Sequence, residues 1–356
     1  MAMPRPSRLR SLCAAVALSA LVSVPLAAQR APAPPESVDR DDPNIIAFEI
    51  FNEPWHDLSP PDETTRDLPR DLPRDLPRIA VMAAFDRELE VILSKATITE
   101  TRTVNGRTHH LGTLGGQPVV ILLSGYSIIN AAMTTQALLD RYQIRQIVFS
   151  GIAGAVNPAL QVGDVVIPAQ WGNYQENVFG RATPTGFQSD RITTPFANYG
   201  MMFPQGTSVT VRGAPADSLE RRFWFPVDSA ALALATQIST SVRLSQCMRV
   251  DVCVAHQPRV LVGGNGVAGP TFVDNAEYRE WVWATFRADA LDMESSAVAV
   301  VAYENHVPYI VFRGLSDLAG GGEGHNAVRS YGQLAAANAA TAVIAYLEAL
   351  PRASAP

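Results

Sequence analysis

The run from Ala290 to Gly320, ALDMESSAVAVVAYENHVPYIVFRGLSDLAG, constrains the fold of this chain more than any other stretch. It passes through Asp292-Met293-Glu294 into a small-residue helix, Ser295 to about Asn305. It then returns as an apolar strand, Tyr309 to Arg313, that opens into Ser316-Asp317. Strand, helix and strand in that order predict a unit of a parallel sheet. Acidic groups then stand at the carboxyl ends of two neighbouring strands, where open α/β sheets place their ligand crevice. An unpaired buried charge costs on the order of several kcal/mol, so such a carboxylate needs a cation, a metal, a donor or a reaction to serve. The structural alternative is a pair of helix-capping acids.

The ordered pair D-M-E-S-S and R-G-L-S-D resembles the signature of the nucleoside phosphorylase/nucleosidase superfamily, including the methylthioadenosine/S-adenosylhomocysteine nucleosidases. The resemblance implies an α/β fold: a single domain with a central, mostly parallel, twisted sheet flanked by helices. It also implies that Glu294 and the Met293 backbone hold a ribose, and that Asp317, with Ser316 beside it, addresses a purine. Arg313 is expected to orient one of these acids.

Residues 1–28 read as a secretory signal peptide: Arg5, Arg8 and Arg10 form a basic start, Cys13 to Leu26 is apolar, and Ala27-Ala28 suits cleavage. The apolar run is shorter than the ~20 residues of a membrane span, and no later stretch qualifies. The expected location is therefore periplasmic or extracellular. Cleavage would remove three arginines and no acid, leaving a chain more acidic than its formal net charge of −6. That balance argues against nucleic acid as a partner. Of three cysteines, Cys13 leaves with the leader. Cys247 and Cys253 remain, and in an oxidising compartment they are expected to form a disulfide; without histidine neighbours they make a poor zinc site.

Residues 29–77 are rich in Pro and Asp and end in the RDLP repeats of Arg66 to Arg78, where a proline at every fourth position favours an extended tether. Within it, Asp41 to Trp55 resembles the acid/base strand of a retaining glycosidase, with Glu53 in the catalytic place. Too little chain surrounds it for the barrel and second carboxylate such chemistry needs, so it is read as a relic or a chance match.

The folded domain is expected over residues 78–350. Arg78 to Ala84 reads as a first buried strand and Asp86 to Lys95 as the next helix. The resemblance puts the acid that activates an attacking water at Glu88, against the alternative of a solvated acid like Asp86 or Glu90. His109 and His110, adjacent on a strand, face opposite sides and are read as surface or edge residues. The strand Gln146 to Gly151 ends in SGIAGAV, where Gly154 would let a ribose approach the backbone. An insertion, about 171–259, resembles the plant bark and vegetative storage proteins of the same superfamily; Trp224 and nearby Phe residues either cap the crevice or, the preferred reading, pack a lobe. By resemblance Phe272 stacks on the purine and the Val273 backbone contacts its edge. An Ala-rich helix from Val328 to Leu350 closes the chain.

The function expected is hydrolysis of the N-glycosidic bond of a purine nucleoside or thionucleoside, with Glu88, Glu294 and Asp317 catalytic and no metal or organic cofactor. Phosphate-dependent cleavage and non-catalytic storage or nucleoside binding are the alternatives. A homodimer or higher homo-oligomer is expected from the resemblance alone.

Overall fold

The computed structural model describes residues 76–352 apart from 216–217, 251 and 323; the expected leader and the Asp41–Trp55 fragment lie outside the described residues. Strand β1 (Arg78–Ala83) is buried from Ile79 onward, as a strand covered on both faces must be. It is followed by α1 (Asp86–Lys95) and the strands β2 (Thr97–Val104), β3 (Arg107–Leu114) and β4 (Gln117–Leu123). Next come α2 (Ser127–Arg141), β5 (Ile144–Ala155), β6 (Val165–Ile167) and β7 (Gln170–Asn173). Further on lie β8 (Trp224–Pro226), α3 (Ser229–Ser239), β9 (Val260–Val262), β10 (Asn265–Ala268), α4 (Ala276–Phe286) and β11 (Ala288–Asp292). The last elements are α5 (Ser295–Glu304), β12 (Tyr309–Asp317) and α6 (Val328–Ala349).

These strands form one twelve-stranded sheet in the order β8-β7-β10-β11-β5-β1-β4-β3-β2, with β12 paired to β5 and β6, and β9 to β6. The centre is parallel: β1 runs with β4 and β5, and β12 runs with β5. Elsewhere the sheet is mixed. The β2–β3 and β3–β4 pairs are antiparallel because two-residue turns, Asn105-Gly106 and Gly115-Gly116, can only return a strand beside itself. Both turns hold positive φ.

Helix α6 lies directly on the sheet: a Cβ on Gly314 of β12 would sit 2.0 Å from the Ala335 carbonyl oxygen. Half of its buried residues are alanine, which permits that approach. His109, expected at the surface, is buried, with Nδ1 3.1 Å from the Tyr142 hydroxyl. The Tyr142 ring packs on it, with centroids 5.6 Å apart, and burial holds that imidazole down to about 4.

The 171–259 stretch is not a free-standing insertion. Its first strand, β7, pairs with β10 in the main sheet, and Trp171 is fully buried. Trp224 joins Phe196, Phe223, Trp281 and Phe286 in a second apolar cluster, with Phe196 and Phe223 centroids 4.2 Å apart. These rings pack a lobe. A short hairpin beyond α3 is closed by a disulfide between Cys247 and Cys253. Among the described residues no helix is long and apolar enough to cross a membrane.

Candidate active site

Glu88 is the third residue of α1, and its carboxylate folds back over the start of its own helix. Oε2 accepts from the Ala84 and Phe85 N–H groups at 2.7 and 3.4 Å, the reach-back half of a capping box. Oε1 accepts from the Ile152 N–H of β5 at 2.8 Å. Asp86 and Glu90 on the same helix are exposed, whereas Glu88 is buried. Burial pushes its carboxyl up to about 7, against the opposing pull of Arg313 and the three amides.

Glu294 caps α5 at the end of β11, and its Oε1 accepts from the Ser127 N–H at 2.7 Å. Ser127 holds a φ of +71°, following Gly125 at +77°. A side-chain-bearing residue in this region stores backbone strain, and here the strained turn aims an amide at the crevice. Burial, then the neighbouring Asp292, raises the Glu294 pKa, while Arg313 lowers it.

Asp292 is the hub of this side. Its Oδ1 accepts from the Glu294 and Ser295 N–H groups at 3.2 and 3.0 Å. Its Oδ2 accepts from the Ser295 hydroxyl and, at 2.5 Å, from Arg313 Nε. The buried Arg313 guanidinium also lies over the Phe149 ring, 4.1 Å from its centroid. Gly151 makes room where these groups meet: a Cβ there would stand 2.5 Å from Arg313 Nη1 and 2.9 Å from Glu88 Oε1. One cation thus serves Asp292 directly and Glu88 through its field.

Asp317, the last residue of β12, is buried and its pKa is raised by that burial. Ser316 Oγ donates to Oδ2 at 2.7 Å and the Ala319 N–H to Oδ1 at 2.8 Å. Gly154 leaves the carboxyl its space, since a Cβ there would be 3.2 Å from Oδ1. The loop after β10 is tied beside it: Asn275 N–H donates to Ala319 O at 3.1 Å, and Asn326 Nδ2 to Asp274 Oδ1 at 2.8 Å. On that loop Phe272 is exposed, while the Val273 side chain is buried in the second cluster and only its backbone faces outward tasks. Met293 is half-buried between the two acids.

Two features were not among the expected site residues. Asp292 was visible in the motif, but its link to Arg313 is tertiary. Phe85 and Tyr126 stack with centroids 5.5 Å apart, and Tyr126 is pushed up to about 12 by burial together with the charges of Glu88, Asp86 and Glu294; an aromatic after each strand-end turn was the available signal. Among the described residues no group of three or more His, Cys, Asp or Glu side chains is arranged to hold a metal.

Glu88, the β11 end that leads into Glu294, and Asp317 thus gather around the last residues of β5, and the sequence profile of the phosphorylase superfamily matches residues 78–348. The chain belongs to the phosphorylase superfamily. Bark storage protein B of Populus deltoides is 27% identical over 262 residues, covering 70% of this chain and 79% of its own. The 5'-methylthioadenosine/S-adenosylhomocysteine nucleosidase of Bacillus thuringiensis (strain Al Hakam) is 30% identical over 243 residues, covering 68% and 86%. Among solved structures, futalosine hydrolase of Helicobacter pylori strain 26695 superposes with a TM-score of 0.58 at 18% identity, over 77% of this chain and 98% of that one. A Streptococcus pneumoniae 5'-methylthioadenosine/S-adenosylhomocysteine nucleosidase bound to a transition-state inhibitor gives 0.56 at 24%, over 77% and 99%. At these identities the structural likeness speaks to the fold. Ile152 gives its N–H to Glu88 while its Cδ1 lies toward Gly332 of α6.

Proposed function

We propose that this protein hydrolyses the N-glycosidic bond of a purine nucleoside or thionucleoside, of the methylthioadenosine/S-adenosylhomocysteine kind, releasing the free base. The observation that carries this reading is the set of three buried carboxyls with raised pKa values, Glu88, Glu294 and Asp317, at neighbouring strand ends. Breaking the bond from C1' to the purine leaves an electron pair on the base and positive charge on the sugar. Asp317, whose burial shifts its carboxyl toward the protonated form, gives a proton to the imidazole nitrogen of the departing purine. Glu294 accepts hydrogen bonds from the ribose hydroxyls and offsets the developing charge. Glu88 takes a proton from the water whose oxygen bonds to C1'. A base with a pKa near 7 is matched to this task at neutral pH. The chemistry asks for no metal or organic cofactor.

Water suits the site better than phosphate. A phosphate needs paired donors, each lost one costing ~1–3 kcal/mol. Phe149 lies under Arg313, Ile152 turns its side chain to α6, and Arg313 already bonds Asp292. Purine release from adenosine, inosine and methylthioadenosine, measured with and without phosphate, tests the reading. The expected result is free ribose or methylthioribose at a rate indifferent to phosphate. Ribose 1-phosphate at a rate proportional to phosphate would replace hydrolysis by phosphorolysis, and binding without base release would support a storage or binding role. Asp317→Asn keeps the shape but lacks the proton, so turnover should fall ~10² to 10⁴-fold with little change in affinity.

Two wider readings belong to the same proposal. Removal of residues 1–28 during export follows from the leader pattern, and the amino-terminal sequence of the exported protein checks it. Exposed Ile129 and Met133, four residues apart on α2, support a homo-oligomer, checked by light scattering.

A further inference from the structure

A cavity of about 530 Å³ is lined in part by Leu318, the residue after Asp317. Neither Glu88, Glu294, Asp317 nor Phe272 lines it. Its apolar floor is Leu160, Leu318 and Val254. Polar groups converge on its rim from separate elements: Gln161 from the turn after β5, His256 from the stretch before β9, Arg279 from α4 and Tyr331 from α6. An apolar concavity with a few convergent polar groups is the usual form of a small-molecule site.

We propose that this cavity is a second binding site, taking a small organic carboxylate whose apolar body lies on Leu160, Leu318 and Val254 and whose charge meets Arg279. Arg279 Nε donates to Ala155 O at 2.9 Å, which fixes the plane of the guanidinium. Its Nη1 lies against Gly321, where a Cβ would be 2.5 Å away. Among the described residues no carboxylate bonds Nη1 or Nη2, and the acids whose fields reach the group are Glu280 on its own helix and Asp317. A half-buried, held guanidinium with two free edges suits the planar fork of a carboxylate. A phosphate dianion fits less well, because the floor is apolar and two of the rim groups, His256 Nε2 and the Tyr331 hydroxyl, already bond Asp164 Oδ1 and Cys253 O.

The wall facing Arg279 is held firmly. His256 Nε2 lies 3.1 Å from Oδ1 of the buried Asp164, whose Oδ1 and Oδ2 also accept from the Arg259 and Gln161 N–H groups. Gln246 Nε2 donates to Val254 O, and Asn338 of α6 bonds both the N–H and the carbonyl of Ser245. The disulfide hairpin precedes this wall directly, and the Tyr331 hydroxyl donates to Cys253 O at 3.4 Å. The tail of the 171–259 stretch therefore builds a preformed surface.

The test uses the exported full chain with phenylacetate as probe and phenylacetamide as its neutral isostere, by titration calorimetry with and without saturating adenine. Expected are saturable phenylacetate binding that survives adenine, an amide at least ~10-fold weaker, and Arg279→Gln bringing the acid to the level of the amide. Ala255→Trp, at an exposed rim position that leaves the core untouched, should block both probes with an unchanged melting temperature. Displacement of phenylacetate by adenine, equal affinity for acid and amide, indifference to Ala255→Trp, or no binding tighter than about 10 mM would each overturn the proposal.

Discussion

A carboxyl group whose folded pKa lies near 7 ties turnover and stability to the same proton. For Glu88 burial raises the folded value above the ordinary glutamate value of 4.5. Its contribution to stability is therefore fully present below about pH 4.5 and is lost as pH rises through about 7. A Glu88→Gln protein carries no such loss. Whatever fixed cost arises from turning an amide NH₂ toward a backbone N–H, the melting-temperature gap should move in the variant's favour between pH 5 and pH 8.5. A gap that stays constant would show that Glu88 does not titrate in that window. Turnover runs the other way: the base must be ionised, so kcat/KM of the wild type should rise with an apparent pKa near 7. Glu88 was singled out by the family resemblance, since local pattern alone does not separate it from Asp86 and Glu90 on the same short helix. The Asp292–Arg313 bond was not, since nothing local distinguishes a helix-capping aspartate from one that also holds a cation twenty-one residues away.

At the scale of elements, the strand ends carry the chemistry through missing side chains. Gly151 sits on β5 against both Arg313 and Glu88, and Cβ clearances of 2.5 and 2.9 Å are too short for either to remain in place. Gly151→Ala should therefore lower kcat/KM by ~10²-fold or more, in keeping with a displacement of about 1 Å at a reacting group, while the chain still folds cooperatively. Gly154→Ala, with clearances of 3.1 and 3.2 Å, should cost distinctly less. Equal losses in the two variants would mean that crowding of the crevice, and not the Arg313–Glu88 approach, is what matters. Helix α1 and most of α6 were readable from apolar and alanine patterns. The strand ends were not: β5 runs on to Ala155 and β12 to Asp317, because paired neighbours extend a ladder through glycines that in sequence look like turns. His109 was misread for a similar reason, its burial being decided by β2, β4 and Tyr142 rather than by its neighbours in the chain.

For the whole molecule, the disulfide and the lobe it adjoins were only half visible. The spacing of Cys247 and Cys253 announced the bridge; the cavity wall that follows it depends on Asp164 and Asn338, remote in sequence. Closing so short a loop is worth ~2 kcal/mol in the unfolded chain. The double variant Cys247→Ser with Cys253→Ser should lower the denaturation midpoint accordingly, and wild type in reductant should match it; a midpoint unmoved by either treatment would deny the bridge a stabilising role. One feature of the site reaches further than its chemistry. All three acids proposed to react are held by main-chain amides, those of Ala84, Phe85 and Ile152 for Glu88, Ser127 for Glu294 and Ala319 for Asp317. Every residue except proline brings that donor. The side chains at these five positions are thus released from holding the acids, bounded by the positive φ of Ser127 and Ala319 and by the burial of Ala84 and Ala319. Lineages can exchange them to reshape what enters the crevice without dismantling the groups that react there.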